Sequence, residues 1–288
     1  MCVTSTVRAE MEHIDGMLEG VRGARLYYQA WLPAAEPRAL LLLVHGLGEH
    51  SGRYGNVVNA VVPRGYGVYA LDHLGHGRSE GTRKYVERFT DFTEPLRTYL
   101  RLLTDRHPGK AVFLVGHSMG GLIAAVHLLE HQADFRGVVF SAPAVVVDRS
   151  VSAVTVAAGK VLALVAPKVG ILGLDINGIS RDPAVVRAAL ADPLNYQGKM
   201  TARLGAELLN AIGRLAREAG KIRLPLLVLQ GTDDRLVDPV GAQTLYDKVS
   251  SPDKTIRIYP GLYHELFNEP EHAEVIGELL GWLEARIS

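Results

Sequence analysis

Two short apolar runs come first along the chain, GMLEG and ARLYYQAWL, joined through the Gly20 to Gly23 region as an antiparallel pair would be. From Ala39 the rhythm changes. The runs ALLLLVH, GVYALD, KAVFLVG, FRGVVFSAP, LPLLVLQG and KTIRIYPG now alternate with longer stretches of helical period. Continuous Val- and Leu-rich runs of this length suit strands covered on both faces, and strand alternating with helix predicts parallel neighbours in a doubly wound sheet. One interval breaks the alternation. About eighty residues separate VVFSAP from LPLLVLQG, too many for a single crossover helix. They hold helical runs SAVTVAAGKVLALVAP, RDPAVVRAALADP and MTARLGAELLNAIGRLAREAG and a linker KVGILGLDINGIS, and predict a helical lid over residues 144–204. The main domain is then 1–143 and 205–288.

Composition narrows the class. With 48% hydrophobic and 22% charged residues among 288, the chain is globular. Lys plus Arg equals Asp plus Glu at 31 each, which gives no sign of nucleic acid as partner. The single cysteine, Cys2, permits no intrachain disulfide and has no neighbours at zinc-ligand spacing. No metal or cofactor is expected. The first residues lack the apolar core of a signal peptide, and residues 151–166 are broken by Lys160 and ended by Pro167, so no membrane span is expected.

The chemistry begins in LVGHSMGGLIAAVHLLE, where a strand-like run stops at Gly116 and a helix-like run follows at once. GHSMG at such a junction fits a nucleophile elbow, a turn so tight that Ser118 projects at a helix N-terminus. A serine needs a base and an orienting acid. Loops leaving the same sheet edge supply them: YPGLYHELFNEPE offers His264, and QGTDDRLVDP offers Asp233, Asp234 and Asp238. Asp234 is favoured as one turn past the strand; Asp233 reads as solvated or capping, Asp238 as the cap of the helix after Pro239, and Asp148 is a further site for the acid. The N–H groups of Met119 and of Leu47, in HGLGEHSGRY, are candidate oxyanion donors. Glu49 and Arg53, four apart, read first as an i, i+4 ion pair fixing that loop and second as contacts for substrate hydroxyls. His73 and His76 in HLGHG read as turn residues rather than metal ligands, and His13 and His107 as residues of surface segments.

HGLGEHSGRY, ALDHLGHGRSEG, GHSMGG, SAPA, QGTDDRLVDP and YPGLYHELFNEPE together resemble the monoacylglycerol lipases of the α/β-hydrolase superfamily, most closely the actinomycete type, from about Glu19 to Leu283. The resemblance implies the α/β-hydrolase fold: a mostly parallel eight-stranded sheet flanked by helices, with an inserted helical lid. It implies a serine hydrolase that cleaves monoacylglycerol to fatty acid and glycerol, with Ser118 as nucleophile, Asp234 as acid, His264 as base and Leu47 and Met119 as donors. Two positions depart from the animal members, which carry a cysteine where this chain has Val237 and a histidine where it has Phe267. The apolar lid residues, among them Val151, Val154, Val161, Leu164, Val165 and Leu172, would line an acyl channel or lean transiently on a lipid surface. The expected location is cytoplasmic or peripheral to a membrane or cell envelope. A lysophospholipase or broad carboxylesterase is the rival enzyme, and a non-catalytic lipid-binding protein the rival of another class.

Overall fold

The computed structural model describes residues 11–147 and 152–287; Cys2, Asp148 and Val151 lie outside them. Eight strands form one sheet in the order β1-β2-β4-β3-β5-β6-β9-β10. Strands β1 (Glu12–Glu19) and β2 (Arg25–Leu32) are antiparallel to each other, and β2 is antiparallel to β4 (Tyr66–Leu71). The rest run parallel: β3 (Ala39–Val44), β4, β5 (Val112–His117), β6 (Gly137–Ser141), β9 (Leu226–Gly231) and β10 (Lys254–Tyr259).

Every residue of β3, β4, β5, β6 and β9 is buried, which is why these segments read as unbroken apolar runs. The side-chain period of two divides them between two cores. Leu40, Leu42 and Val44 face the core built with α2 (Thr90–Arg106), α3 (Met119–His131) and α7 (Val240–Lys248). Ala39, Leu41 and Leu43 face the core built with α1 (Gly55–Val61) and α8 (His272–Glu284). β10 departs from the expectation of a strand covered on both faces: it is an edge strand with Arg257 and Ile258 exposed. Its two basic residues suit an edge that must not pair with another chain.

The connections decide where a site can form. From β3 the chain moves outward to β4, then crosses back over β3 to β5 on its other side. Loops leaving β3 and β5 therefore diverge from one point at the carboxyl edge, the topological switch where such sheets open a crevice. Val44 is paired with Gly116 and His117 with Ser141, so three loops leave the edge at one level.

The insert comprises α4 (Ala153–Val165), β7 (Gly170–Leu172), α5 (Pro183–Ala191), β8 (Met200–Thr201) and α6 (Ala202–Glu218). The segment read as a linker holds β7, which pairs antiparallel with β8. Residue 204 falls in the first turn of α6, a single helix that packs on both α4 and α3. His107, expected in a surface segment, is buried at the end of α2 with Nε2 2.7 Å from Tyr69 Oη.

Candidate active site

Only Ser118 separates β5 from α3. Its φ of 52° and ψ of −122° are a conformation that costs a side chain roughly 1–3 kcal/mol. Four backbone bonds hold it there: Ser118 N donates to Ser141 O at 3.0 Å, and Ser118 O accepts from Gly121 N at 2.9 Å, Ala144 N at 3.1 Å and Leu122 N at 3.3 Å. The turn also needs glycine beside it. A Cβ on Gly120 would stand 2.0 Å from Val44 O, and one on Gly116 2.6 Å from Gly120 O. Neither clash can be relieved by turning a side chain, so sequence dictates the elbow through backbone contact alone.

His264 and Asp234 come from the loops after β10 and β9. His264 Nδ1 donates to Asp234 Oδ2 at 2.8 Å, both side chains being buried. The carboxylate also accepts from Leu236 N at 2.9 Å, Val237 N at 3.1 Å and Gln230 Nε2 at 3.1 Å. Burial disfavours the Asp234 charge, but His264 and these N–H donors outweigh it and lower its pKa below 3.8. Burial likewise opposes an imidazolium, yet the Asp234 carboxylate, with smaller help from Glu265 and Glu49, raises His264 above 6.5. Ser118 and His264 line one cavity, and the His117 ring lies 4.7 Å from that of His264. No hydrogen bond joins Ser118 to His264 among the described residues, a separation common where no substrate closes the contact. The other acids are employed elsewhere. Asp233 is exposed and accepts from Thr232 Oγ1, and Asp238 accepts from Val240 N at the start of α7.

Leu47 and Met119 line the same cavity. Met119 opens α3, where first-turn N–H groups lack partners within the helix and favour negative charge. Glu49 and Arg53 do more than pair with each other across 3.5 Å. Glu49 Oε1 accepts from Gly46 N at 2.6 Å and Tyr54 Oη at 2.8 Å, so it holds the loop that carries Leu47. Burial opposes its ionisation, but His117, Arg53 and the Gly46 N–H pull its pKa down to about 2. Arg53 Nη2 reaches both carboxylate oxygens of Glu265, at 2.7 and 2.6 Å. Glu265 was not among the residues expected from the sequence. Arg53 thus ties the Leu47 loop to the residue beside His264.

The cavity, about 200 Å³, is walled by apolar side chains from both parts of the chain, including Leu122, Val146, Leu174, Ile176, Met200 and Ile212. The insert is fastened to the loops beneath it at several points, three of them beside the site. Tyr196 N donates to Gly48 O at 2.9 Å, His50 Nε2 to Asp192 Oδ2 at 2.9 Å, and Glu265 N to Ile179 O at 2.7 Å. A strained serine, a buried acid–imidazole pair and an apolar chamber can together attack an ester whose acyl part is a hydrocarbon.

Comparison with known proteins agrees with this chemistry. The family described as Serine aminopeptidase, S33, matches residues 35–271. The monoacylglycerol lipase of Mycolicibacterium smegmatis is 40% identical over 264 residues, covering 92% of this chain and 94% of that one. The human monoglyceride lipase is 38% identical over 267 residues, covering 92% and 88%. Among solved structures, the monoacylglycerol lipase of Paleococcus ferrophilus superposes with a TM-score of 0.81 at 31% identity, covering 96% of this chain and 99% of that one.

Proposed function

The chain belongs to the monoacylglycerol lipases of the α/β-hydrolase superfamily, and from that membership we propose how its own residues cleave a monoacylglycerol to fatty acid and glycerol. Ser118 Oγ attacks the ester carbonyl while His264 Nε2 takes its proton. Asp234 holds the proton on Nδ1 and steadies the imidazolium that forms. The negative oxygen of the tetrahedral intermediate is met by the N–H groups of Leu47 and Met119. Collapse expels glycerol, protonated by His264, and leaves the acyl chain on Ser118. Water, deprotonated by His264, then releases the fatty acid and restores the serine. The observation that carries this reading is the buried His264–Asp234 bond opening onto the cavity that holds Ser118.

Substrate class follows from what lines the cavity. An aminopeptidase, as the family description names, needs an acid to fix the substrate's ammonium. The three carboxylates at the cavity are already engaged: Glu49 and Glu265 with Arg53, and Asp238 with the start of α7. An uncharged glycerol ester demands no such partner. We read residues 144–204 as the lid that covers the acyl chain. Its α4 turns Val154, Val161, Leu164 and Val165 outward, at 60 to 78% exposure, beside the exposed Lys160 and, just past its end, Lys168. An apolar face with a basic margin suits transient contact with an anionic lipid surface, where the substrate is dissolved. No helix among the described residues is long and apolar enough to cross a membrane.

Labelling with a fluorophosphonate probe tests the nucleophile: wild type should be labelled and Ser118→Ala should not. A panel of monoacylglycerols, lysophosphatidylcholine and short p-nitrophenyl esters tests the substrate. Faster release from lysophosphatidylcholine or from short esters would displace the monoacylglycerol reading, and folded protein that binds lipid without hydrolysis would displace catalysis itself.

A further inference from the structure

His45, the residue before the Leu47 loop, has no access to solvent and no place in the mechanism above. Two hydrogen bonds define its state. His73 N donates to His45 Nε2 at 3.0 Å. A backbone N–H can only donate, so Nε2 carries a lone pair and the proton of a neutral ring is on Nδ1. That proton is donated to Gly46 O at 2.8 Å. Burial keeps the ring neutral by lowering its pKa. The ring is itself held in place, 4.2 Å from the His73 ring and 5.5 Å from that of His76, while His73 Nε2 donates back to His45 O at 3.2 Å.

The consequence lies in the geometry of one peptide. Gly46 O and Leu47 N–H belong to the same planar unit, and no peptide in the described chain is cis, so the two bonds point in opposite directions. Whatever fixes Gly46 O fixes the aim of Leu47 N–H. The preceding peptide is fixed separately, by the bond from Gly46 N to Glu49. We propose that His45 is a positioning residue for the oxyanion hole, its Nδ1–H holding the Gly46 carbonyl so that the Leu47 N–H stays aimed at the developing oxyanion. This rests on the reading of Ser118 as nucleophile and Leu47 as donor. An unclamped peptide must be turned during the reaction, and the loss appears in the transition state rather than in ground-state binding.

Two isosteres divide the histidine's functions. In His45→Asn the amide nitrogen occupies the place of Nδ1 and can still donate to Gly46 O, but nothing accepts from His73 N. In His45→Gln the side-chain oxygen reaches toward the place of Nε2 and can accept from His73 N, but the donor to Gly46 O is gone. With a monoacylglycerol substrate, His45→Gln should lose on the order of 10- to 100-fold in kcat, part of the loss for a whole donor, with KM little changed. His45→Asn should recover most of that loss. A merely structural histidine predicts the opposite order or none, so His45→Gln turning over as fast as His45→Asn overturns the clamp. If either variant fails to fold, nitrogen-15 spectra of histidine-labelled wild type decide: a neutral His45 protonated at Nδ1 supports the proposal, and a proton at Nε2 overturns it. Wild type that neither labels at Ser118 nor cleaves any ester overturns the underlying reading instead. Active wild type with equal Asn and Gln variants overturns the clamp alone.

Discussion

Replacing Arg53 by methionine removes the cation between two buried carboxylates while keeping the bulk of the side chain. Arg53 and Glu265 are each 9% exposed, and the guanidinium meets both Glu265 oxygens. Without it the carboxylates fare differently. Glu49 keeps its bonds from Gly46 N and Tyr54 Oη, but Glu265 keeps only Asn268 Nδ2 at 2.9 Å. Burial already raises Glu265 above the ordinary 4.5 even with Arg53 present, and removing Arg53 raises it further. The folded variant therefore either buries an uncompensated charge or keeps its proton to higher pH than the unfolded chain does. Removing one partner of a buried pair in this way costs roughly 3–5 kcal/mol, because the charge left behind is uncompensated.

The sign follows from linkage. A carboxylate whose folded pKa is raised contributes its full stability below the unfolded value and loses it as pH rises toward the folded one. Urea denaturation of Arg53→Met should therefore show a deficit of about 3–5 kcal/mol at pH 7, shrinking as pH falls into the ordinary carboxylate range, with a melting temperature lower by about 10 °C at neutrality. The double variant Arg53→Met with Glu265→Gln should regain more than half of the loss, since the amide has no charge to bury. A deficit below about 1 kcal/mol at pH 7, or one that does not change with pH, would refute the reasoning, because Glu265 would then be solvated or paired elsewhere.

Asp234→Asn should lower kcat by about 10⁴, through loss of the correct imidazole tautomer, while Asp233→Asn should leave it within a factor of about three; steady-state kinetics on one substrate ranks the two. The acid limb of kcat/KM should lie above pH 6.5, since His264 must be neutral to take the serine proton and Asp234 holds its pKa up; a limb at or below 6.5 contradicts that coupling. Burial brings Lys84 down from 10.5 to about 8, so its penalty is full below pH 8 and vanishes as pH rises toward 10.5. Wild type should therefore gain stability over Lys84→Met across that window in paired urea titrations. Val161→Glu with Leu164→Glu should reduce sedimentation with anionic vesicles severalfold while leaving hydrolysis of a soluble short ester intact; unchanged sedimentation excludes α4 as the contact.

The parts of the fold that the sequence announces are those whose cause is local. A strand buried on both faces must be apolar throughout, so ALLLLV or VFLVG identifies itself. An elbow must place glycine around its serine, so GHSMG does too. Parallel strands then deliver Ser118, Asp234 and His264 to one rim by chain order alone. What escaped has its cause elsewhere in the chain. Glu265 follows His264 directly but owes its importance to Arg53, 212 residues away. The lid's tie through His50 spans 142 residues to Asp192, and β7 and β8 are too short to show a period. His107 read as a surface residue because its partner Tyr69 lies on another element.

The same distinction explains why the Leu47 loop is the least self-evident part of the site. The atom we propose to work there is a backbone N–H, which leaves no mark on residue type, so Leu47 needs no particular side chain. Aim must then come from the neighbours on either side. His45 holds Gly46 O from below, Glu49 holds Gly46 N, and Tyr196 N of the insert takes Gly48 O from above. The first two clamps lie within the main domain and involve no residue of the insert. The third joins the loop to the lid directly, so lifting residue 196 must either break a bond at Gly48 or move it. Conformation of the insert and aim of the Leu47 N–H are therefore coupled most directly through the Tyr196–Gly48 bond, with the His50–Asp192 bond beside it and His45 and Glu49 opposing any transmitted shift.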